Sequence, residues 1–412
     1  MSAISSALHA TISLTTTGST PNVERTDQRA SSTGRLPALD GIRGLAIIWV
    51  VLHNTTDLLP PALHGPSHVL AFLVHPGWIG VQLFFALSGF LITGSLLDTQ
   101  RATNYFRAFY AKRALRILPL YYTVLILLLI VAPALHLGPT LLQASPKQQL
   151  SLWFFTVNWT HAAPNGFAHF WSLAIEEQFY LFWPFIVHRL SARRLFAVCL
   201  YIAVIGFFIR GVMVFSGASS WTVYTATTSR LDALALGGAG ACLVRIPAAR
   251  AWLASRLTGV SLAALALFVV GVPATRAYDT DAIQCQIFGY TLLALCCAIL
   301  VTTAAAAGEQ ARPTRLARIL CWAPLRSCGK YSYAIYIFHQ LINKLWGEPW
   351  MATTFGSSPP AHAVYLYSLT IGLVSFVAAY LSYQLLEKHF LALRYLLVPR
   401  IPGASTAQIQ SP

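Results

Sequence analysis

The sequence predicts an all-α polytopic membrane protein, a bundle of about ten transmembrane helices with both the N- and the C-terminus cytoplasmic. Three observations predict it. Hydrophobic residues make up 56% of the 412-residue chain and charged residues only 10%, with a mean hydropathy of +0.60. A soluble domain carries about 25% charged residues, so this chain could not solvate a globular surface. Candidate spans fall at roughly 44–60, 77–97, 117–137, 174–190, 196–216, 229–245, 257–274, 284–306, 331–347 and 362–385, each near the about 20 residues that cross a hydrocarbon core. Basic residues then concentrate in alternate connections. One side holds Arg25, Arg29 and Arg35, then Arg101, Arg107, Lys112, Arg113 and Arg116, and further clusters as far as Arg400, while the other shows little beyond Lys147 and Arg276. The positive-inside rule puts the basic side in the cytoplasm, and an even number of spans returns the C-terminus there. The net charge of +15 is therefore a topology signal, and no nucleic-acid partner is expected. The predicted location is the inner (plasma) membrane, with lipid as the surrounding partner.

Residues 1–35, rich in Ser and Thr, read as a disordered cytoplasmic tail. Residues 36–398 form one integral domain and 399–412 a short cytoplasmic tail. No cleavable leader, internal repeat or soluble outer domain after the last span is expected. The seven cysteines contain no CxxC pair, so neither a disulfide framework nor a metal site is indicated.

An ionisable side chain at membrane depth is a functional hypothesis by default, because burying it is costly unless it faces a polar cavity. The first span begins Leu39-Asp40-Gly41-Ile42-Arg43 and ends Leu52-His53-Asn54. At 1.5 Å per residue, His53 lies about 15 Å deeper than Arg43. Histidine exchanges protons near neutral pH, although a lone buried histidine can equally be a hydrogen-bonded packing residue. The second span carries GWIGVQLFFALSGFLIT from Gly77 to Thr93. At the start of the third, Arg113 and Arg116 share a helix face. Their planar donor forks match phosphate, and they could also be simple topology anchors.

The connection 138–173 is long and aromatic, which suits an interfacial or re-entrant segment. It contains the sequon Asn158-Trp159-Thr160 on the outer side. The fourth span opens with His169-Phe170-Trp171-Ser172-Leu173-Ala174-Ile175-Glu176-Glu177. Two of only thirteen acidic residues stand there, at the expected mouth of an apolar helix. Glu177 reads as a charge favoured by a helix N-terminus, and Glu176, one turn before Tyr180, fits that role less well. Further along, Arg230 and Asp232 could neutralise each other, and His339 and Glu387 could be structural.

In order and wording these strings resemble the acyltransferase 3 family. LDGIRGLA, GWIGVQLFFALSGFLIT, RALRILPLYY, WSLAIEEQFYLFWP, SRLDAL and YSYAIYIFH follow one another across about 36–395. The resemblance implies a ten-helix membrane acyltransferase that takes acyl groups from cytoplasmic acyl-CoA, commonly acetyl-CoA, as a donor substrate without a bound cofactor. The acceptor is a hydroxyl of a carbohydrate, glycolipid or related molecule. It maps the Arg–His pair of the first helix onto Arg43 and His53, the Arg-x-x-Arg motif onto Arg113 and Arg116, and the SLxxE motif onto Ser172, Leu173 and Glu176. One departure is visible. Ten residues usually separate Arg from His; here nine do, and Asn54 holds the usual position.

Arg43, Arg113 and Arg116 are thus expected to hold the donor phosphates. His53 would be general base on the acceptor hydroxyl, or carry the acyl group covalently, with Glu176 orienting His53 or binding the acceptor. Ser172, Arg230, Asp232 and His339 are expected to contact substrate. The rival reading is a proton-coupled transporter or flippase with a relay through His53, Glu176 and Asp232.

Overall fold

The computed structural model describes residues 36–60, 65–136, 144–308 and 315–397. The expected tails 1–35 and 399–412 lie outside the described residues. Among the described residues every regular element is helical.

A helix of 17 to 28 residues occupies each candidate span. These are α1 (Pro37–Thr55), α2 (Ile79–Asp98), α3 (Tyr105–Ile126), α4 (Trp171–Arg189), α5 (Ala192–Phe215), α6 (Thr227–Leu243), α7 (Pro247–Ala274), α8 (Tyr290–Gly308), α9 (Ala323–Ile342) and α10 (Ala361–Ser382). With their continuations, six of them are long and apolar enough to cross a membrane: those within Pro66–Asp98, Tyr105–Ala134, Ala192–Phe215, Pro247–Ala274, Cys285–Gly308 and Ala361–Ala392. The other four, α1, α4, α6 and α9, are the helices in which Arg43, His53, Glu176, Arg230, Asp232 and His339 sit. Their ionisable side chains suit the interior of a helix bundle rather than lipid, although α4 also bares Leu181, Phe182 and Phe185. Phe208, Val212 and Phe215 on α5 lie bare, with Phe215 83% exposed. Such an apolar exterior suits lipid.

The inner helices pack backbone to backbone. A Cβ on Gly44 would collide with the Leu325 carbonyl, and one on Gly329 with that of Asp40, so α1 and α9 approach as only glycine permits. Asn54 and His339 meet further along the same pair, so the two helices run parallel. Helix α6 is buried along most of its length and packs on α2, α5 and α8.

Two expectations change here. Helix α4 starts at Trp171 after a tight turn over Ala168–Phe170, so Glu176 and Glu177 stand in its second turn rather than at its mouth. The long connection is largely structured beyond residues 137–143, which lie outside the described residues. A helix over Pro146–Trp153 opens with a Ser145–Gln148 capping box. The Tyr121 hydroxyl donates to the Leu152 carbonyl at 2.8 Å, and the Tyr121 ring stacks on Phe155. Asn158 of the sequon is buried and donates to the Thr227 hydroxyl at 2.8 Å. Its Oδ1 accepts from Gln178 at 3.0 Å. That amide helps to lock the connection onto α4 and α6.

Candidate active site

Two cavities lie along α1. The first, about 90 Å³, is lined by Arg43 of α1, Ser88 of α2, Arg113 and Arg116 of α3, Ser172, Glu176, Glu177 and Tyr180 of α4, and Tyr336 of α9, among others. The Glu176 carboxylate accepts from the Ser88 hydroxyl at 2.7 Å and from Tyr180 at 3.2 Å. Tyr180 is one helical turn from Glu176, and its hydroxyl also reaches Ser88 at 3.1 Å. The Arg113 guanidinium lies 5.7 Å from the Tyr180 ring centre, within cation–π range. Arg43 pairs loosely with Asp40 at 3.8 Å. Three guanidinium groups gather around one cavity, with Glu176 and Glu177 also on its lining and Asp40 beside Arg43, and their donor forks match phosphate.

The second cavity, about 300 Å³, takes in Val50, His53 and Asn54 of α1, His169 and Trp171 at the start of α4, and Trp78, Trp221, Tyr224, Asp281 and Gln340. Val81 and Tyr336 line both cavities and form the wall between them. Ten residues of continuous helix put His53 about 15 Å from Arg43 along α1. The ring of His53 faces that of His75 edge-on at 6.3 Å. Although successive residues on a helix point about 100° apart, His53 and Asn54 both border this cavity. The Asn54 amide is engaged with His339 Nε2 at 3.0 Å. The other ring nitrogen of His339 meets the Tyr336 carbonyl at 2.7 Å. His339 is therefore a fully committed, fully buried residue bordering neither cavity.

Arg230 and Asp232 do not neutralise each other. Asp232 pairs with Arg210 at 3.0 Å, both side chains fully buried, and accepts from Thr291 at 2.8 Å and from the Ala233 amide at 2.8 Å. Arg210 also donates to the Thr291 hydroxyl and the Ser229 carbonyl. Arg230 sits among Trp78, Trp171, Tyr224 and Tyr290, with the Tyr290 ring centre 4.0 Å away. Its Nε donates to the Tyr224 carbonyl at 2.8 Å and Nη1 to Gln82 at 3.1 Å. Neither Arg230 nor Asp232 lines either cavity. Arg230, Asp232 and His339, expected to touch substrate, are buried in the helix packing and border neither cavity. Ser172 does line the first cavity, and its hydroxyl bonds that of Tyr336 at 2.6 Å.

The family model described as an acyltransferase domain, of the acyltransferase 3 type, matches residues 36–382. The chain belongs to the acyltransferase 3 family. Three relatives are each 28% identical to this acyltransferase 3 chain. The O-acetyltransferase OatA of Staphylococcus aureus aligns over 375 residues, 85% of this chain and 56% of the relative. The putative peptidoglycan O-acetyltransferase YrhL of Bacillus subtilis aligns over 379 residues, 86% and 54%. The peptidoglycan O-acetyltransferase OatA of Listeria monocytogenes aligns over 332 residues, 74% and 49%. The chain thus spans about half the length of these relatives. No solved structure matches it.

Of the residues singled out in this acyltransferase 3 chain, Arg43, Arg113, Arg116, Ser172 and Glu176 converge on one cavity, and His53 stands in the other. Glu176 bonds Ser88 and Tyr180 and does not contact His53. Ser88 and Tyr180 were not anticipated as site residues, although both lie inside the family strings. Tyr180 follows Glu176 at the i, i+4 spacing that brings side chains together on a helix. Arg210 carries no local signal, because its partner Asp232 is 22 residues away on another helix.

Proposed function

We propose that this protein is a membrane O-acyltransferase that moves an acyl group, most simply acetyl, from cytoplasmic acyl-CoA to a hydroxyl of a carbohydrate. The observation carrying this reading is the adjacency of two unlike cavities. One has three arginines with Glu176 and Glu177; the other has His53, aromatic walls, several neutral polar groups and Asp281, and no arginine or lysine among the described residues. The arginines hold donor phosphates, and the acyl-bearing arm extends past Val81 and Tyr336 toward His53. There His53 removes the proton from the acceptor hydroxyl as it attacks the thioester carbonyl, a role generally worth about 10²–10⁴-fold in rate. The thiolate of the donor leaves with a proton. Glu176 holds Ser88 and Tyr180 in place along the arm. Ten helices cross the plasma membrane with both ends cytoplasmic, which places the arginine cavity inside and the histidine cavity outside.

Two of the named relatives are described as acting on peptidoglycan, which supports a wall glycan as the acceptor class. The transporter alternative needs a relay through Asp232, and that carboxylate is occupied by Arg210, Thr291 and a backbone amide. The test is incubation of the purified protein with labelled acetyl-CoA and a membrane glycan extract, followed by identification of the labelled product. Label in an ester-linked glycan is the expected result, and label confined to free acetate would refute glycan transfer.

A further inference from the structure

We propose that Arg230 is a positioning residue for acyl transfer: it fixes the aromatic wall of the second cavity and, through that wall, the seat of the acceptor beside His53. The role deepens the acyl-transfer reading and rests on it for the acceptor. Arg230 is 1% exposed and borders neither cavity. Its guanidinium carbon nevertheless lies 5.5 Å from the Trp78 ring centre, 5.6 Å from Trp171, 4.4 Å from Tyr224 and 4.0 Å from Tyr290. All four are within cation–π range. The rings come from separate places: the turn before α2, the start of α4, a short helix over Ser220–Thr225 and the start of α8. Trp78, Trp171 and Tyr224 line the second cavity, so one guanidinium backs three of its aromatic residues.

No ion pair to Arg230 occurs among the described residues, and Asp232, two positions along α6, is bound to Arg210. A buried charge without a counter-ion destabilises a fold unless other groups receive it. Here the electron-rich faces of the rings do. Hydrogen bonds then fix the direction of the fork. Nε donates to the Tyr224 carbonyl at 2.8 Å and Nη1 to Gln82 at 3.1 Å, while the Gln82 amide donates to the Tyr290 carbonyl at 2.9 Å. The backbones carrying two of the rings are thus tied to the guanidinium that packs on them. A methionine of similar length would fill this space without burying a charge. Only a planar, charged fork both lies over the rings and bonds their backbones. The wall reaches His53 through Trp78. Its neighbour Gly77 presses so closely on α1 that a Cβ there would lie 2.4 Å from the Trp49 carbonyl oxygen and 2.6 Å from His53 Cβ. On its other side Trp78 Nε1 donates to the Tyr278 carbonyl at 3.0 Å. Trp78 and His53 border the same cavity, so loosening Trp78 alters the space in which the acceptor hydroxyl meets the base.

The test uses the full-length protein in lipid nanodiscs, given labelled acetyl-CoA and increasing amounts of the membrane glycan extract. Fluorotryptophan is incorporated for fluorine NMR, with the Trp78 and Trp171 resonances assigned from Trp78→Phe and Trp171→Phe. In Arg230→Met both resonances should broaden or split. The same variant should need about tenfold more extract for half-maximal transfer, with the acetyl-CoA requirement within about twofold. Arg230→Lys, which keeps the charge and loses the fork, should recover part of the loss. Tyr224→Leu should raise the extract requirement too, and the double variant should raise it by less than the product of the two, because both act through one wall. A merely structural Arg230 would instead behave as Asp232→Ala does, losing thermal stability with the extract requirement unmoved. Should Arg230→Met fail to fold, Arg230→Lys with Tyr224→Leu carries the same comparison. Sharp, unshifted resonances would overturn the hold on the wall, and an unchanged extract requirement, or effects that multiply, would overturn the link from wall to acceptor. A wild type that transfers no label refutes the acyl-transfer reading, and the resonances then decide the hold on the wall by themselves.

Discussion

The two cavities share Val81 and Tyr336, yet their chemistry is opposite. One gathers three guanidinium groups and two carboxylates, of which Glu176 is tied to Ser88 and Tyr180. The other gathers indole and phenol rings, imidazoles, amides and the carboxylate of Asp281, with no guanidinium or ammonium group among the described residues. The first suits a polyanion; the second, without a basic guanidinium or ammonium group among the described residues, does not. Two ligands of unlike charge can thus reach one wall from opposite ends of α1 without competing for a single site. The contrast also separates ionisable residues that face a cavity from those that hold the bundle together.

The sharpest way to break this comparison is at His53. His53→Ala should lower transfer by about 10²–10⁴-fold while membrane insertion and CoA affinity persist. Asn54→Ala, which removes the bond to His339, should instead show its main effect as a lowered melting temperature. Near-wild-type turnover in His53→Ala together with an inactive but stably folded Asn54→Ala would move the base assignment to Asn54's position. The next effect belongs to Glu176. Removing a hydrogen bond to a charged group costs about 1.5–3 kcal/mol, so Glu176→Gln should lower kcat about ten- to a hundredfold. Glu177→Gln should cost less, because Glu177 lines the same cavity without the Ser88–Tyr180 network. Kinetics of the two variants side by side decide the matter, and equal losses would dissolve the distinction.

A smaller effect is expected at Arg113 and Arg116. Gln at either position should raise the acyl-CoA KM by about tenfold and leave the acceptor KM unchanged. An unchanged donor KM would reduce both to topology anchors. Asp232→Ala should have the smallest effect on either KM, since Asp232 borders neither cavity. It should destabilise the protein by about 3–5 kcal/mol, because it strands a fully buried Arg210. Thermal unfolding in detergent measures this, and replacing both partners with apolar residues should recover much of the loss.

Helix positions were legible because apolar composition over about 20 residues is a local property, and a helix stands at each of the ten candidate segments. Arg43, Arg113, Arg116, Ser172 and Glu176 were legible through short spacings and family strings, and they meet in space. What the sequence hid depends on partners from distant helices. Asp232 reads as the neighbour of Arg230 but bonds Arg210 across the α5–α6 contact. His339 reads as a titratable candidate, yet Asn54 and the Tyr336 carbonyl occupy both its nitrogens. His169 reads as one more residue of a motif, and only the fold shows its buried ring packed between Tyr336 and His339. Asn158 matches a sequon and is buried against Thr227 and Gln178.

Sidedness tests the central claim most directly. Sealed vesicles of known orientation, carrying the protein, can be given labelled acetyl-CoA on one face at a time. CoA is highly charged and does not cross hydrocarbon unaided, so label on an acceptor at the opposite face must travel through the bundle. Transfer is expected when acetyl-CoA reaches the face bearing Arg113 and Arg116, with the product appearing on the face nearer His53. Transfer supported only by acetyl-CoA on the His53 face would contradict it.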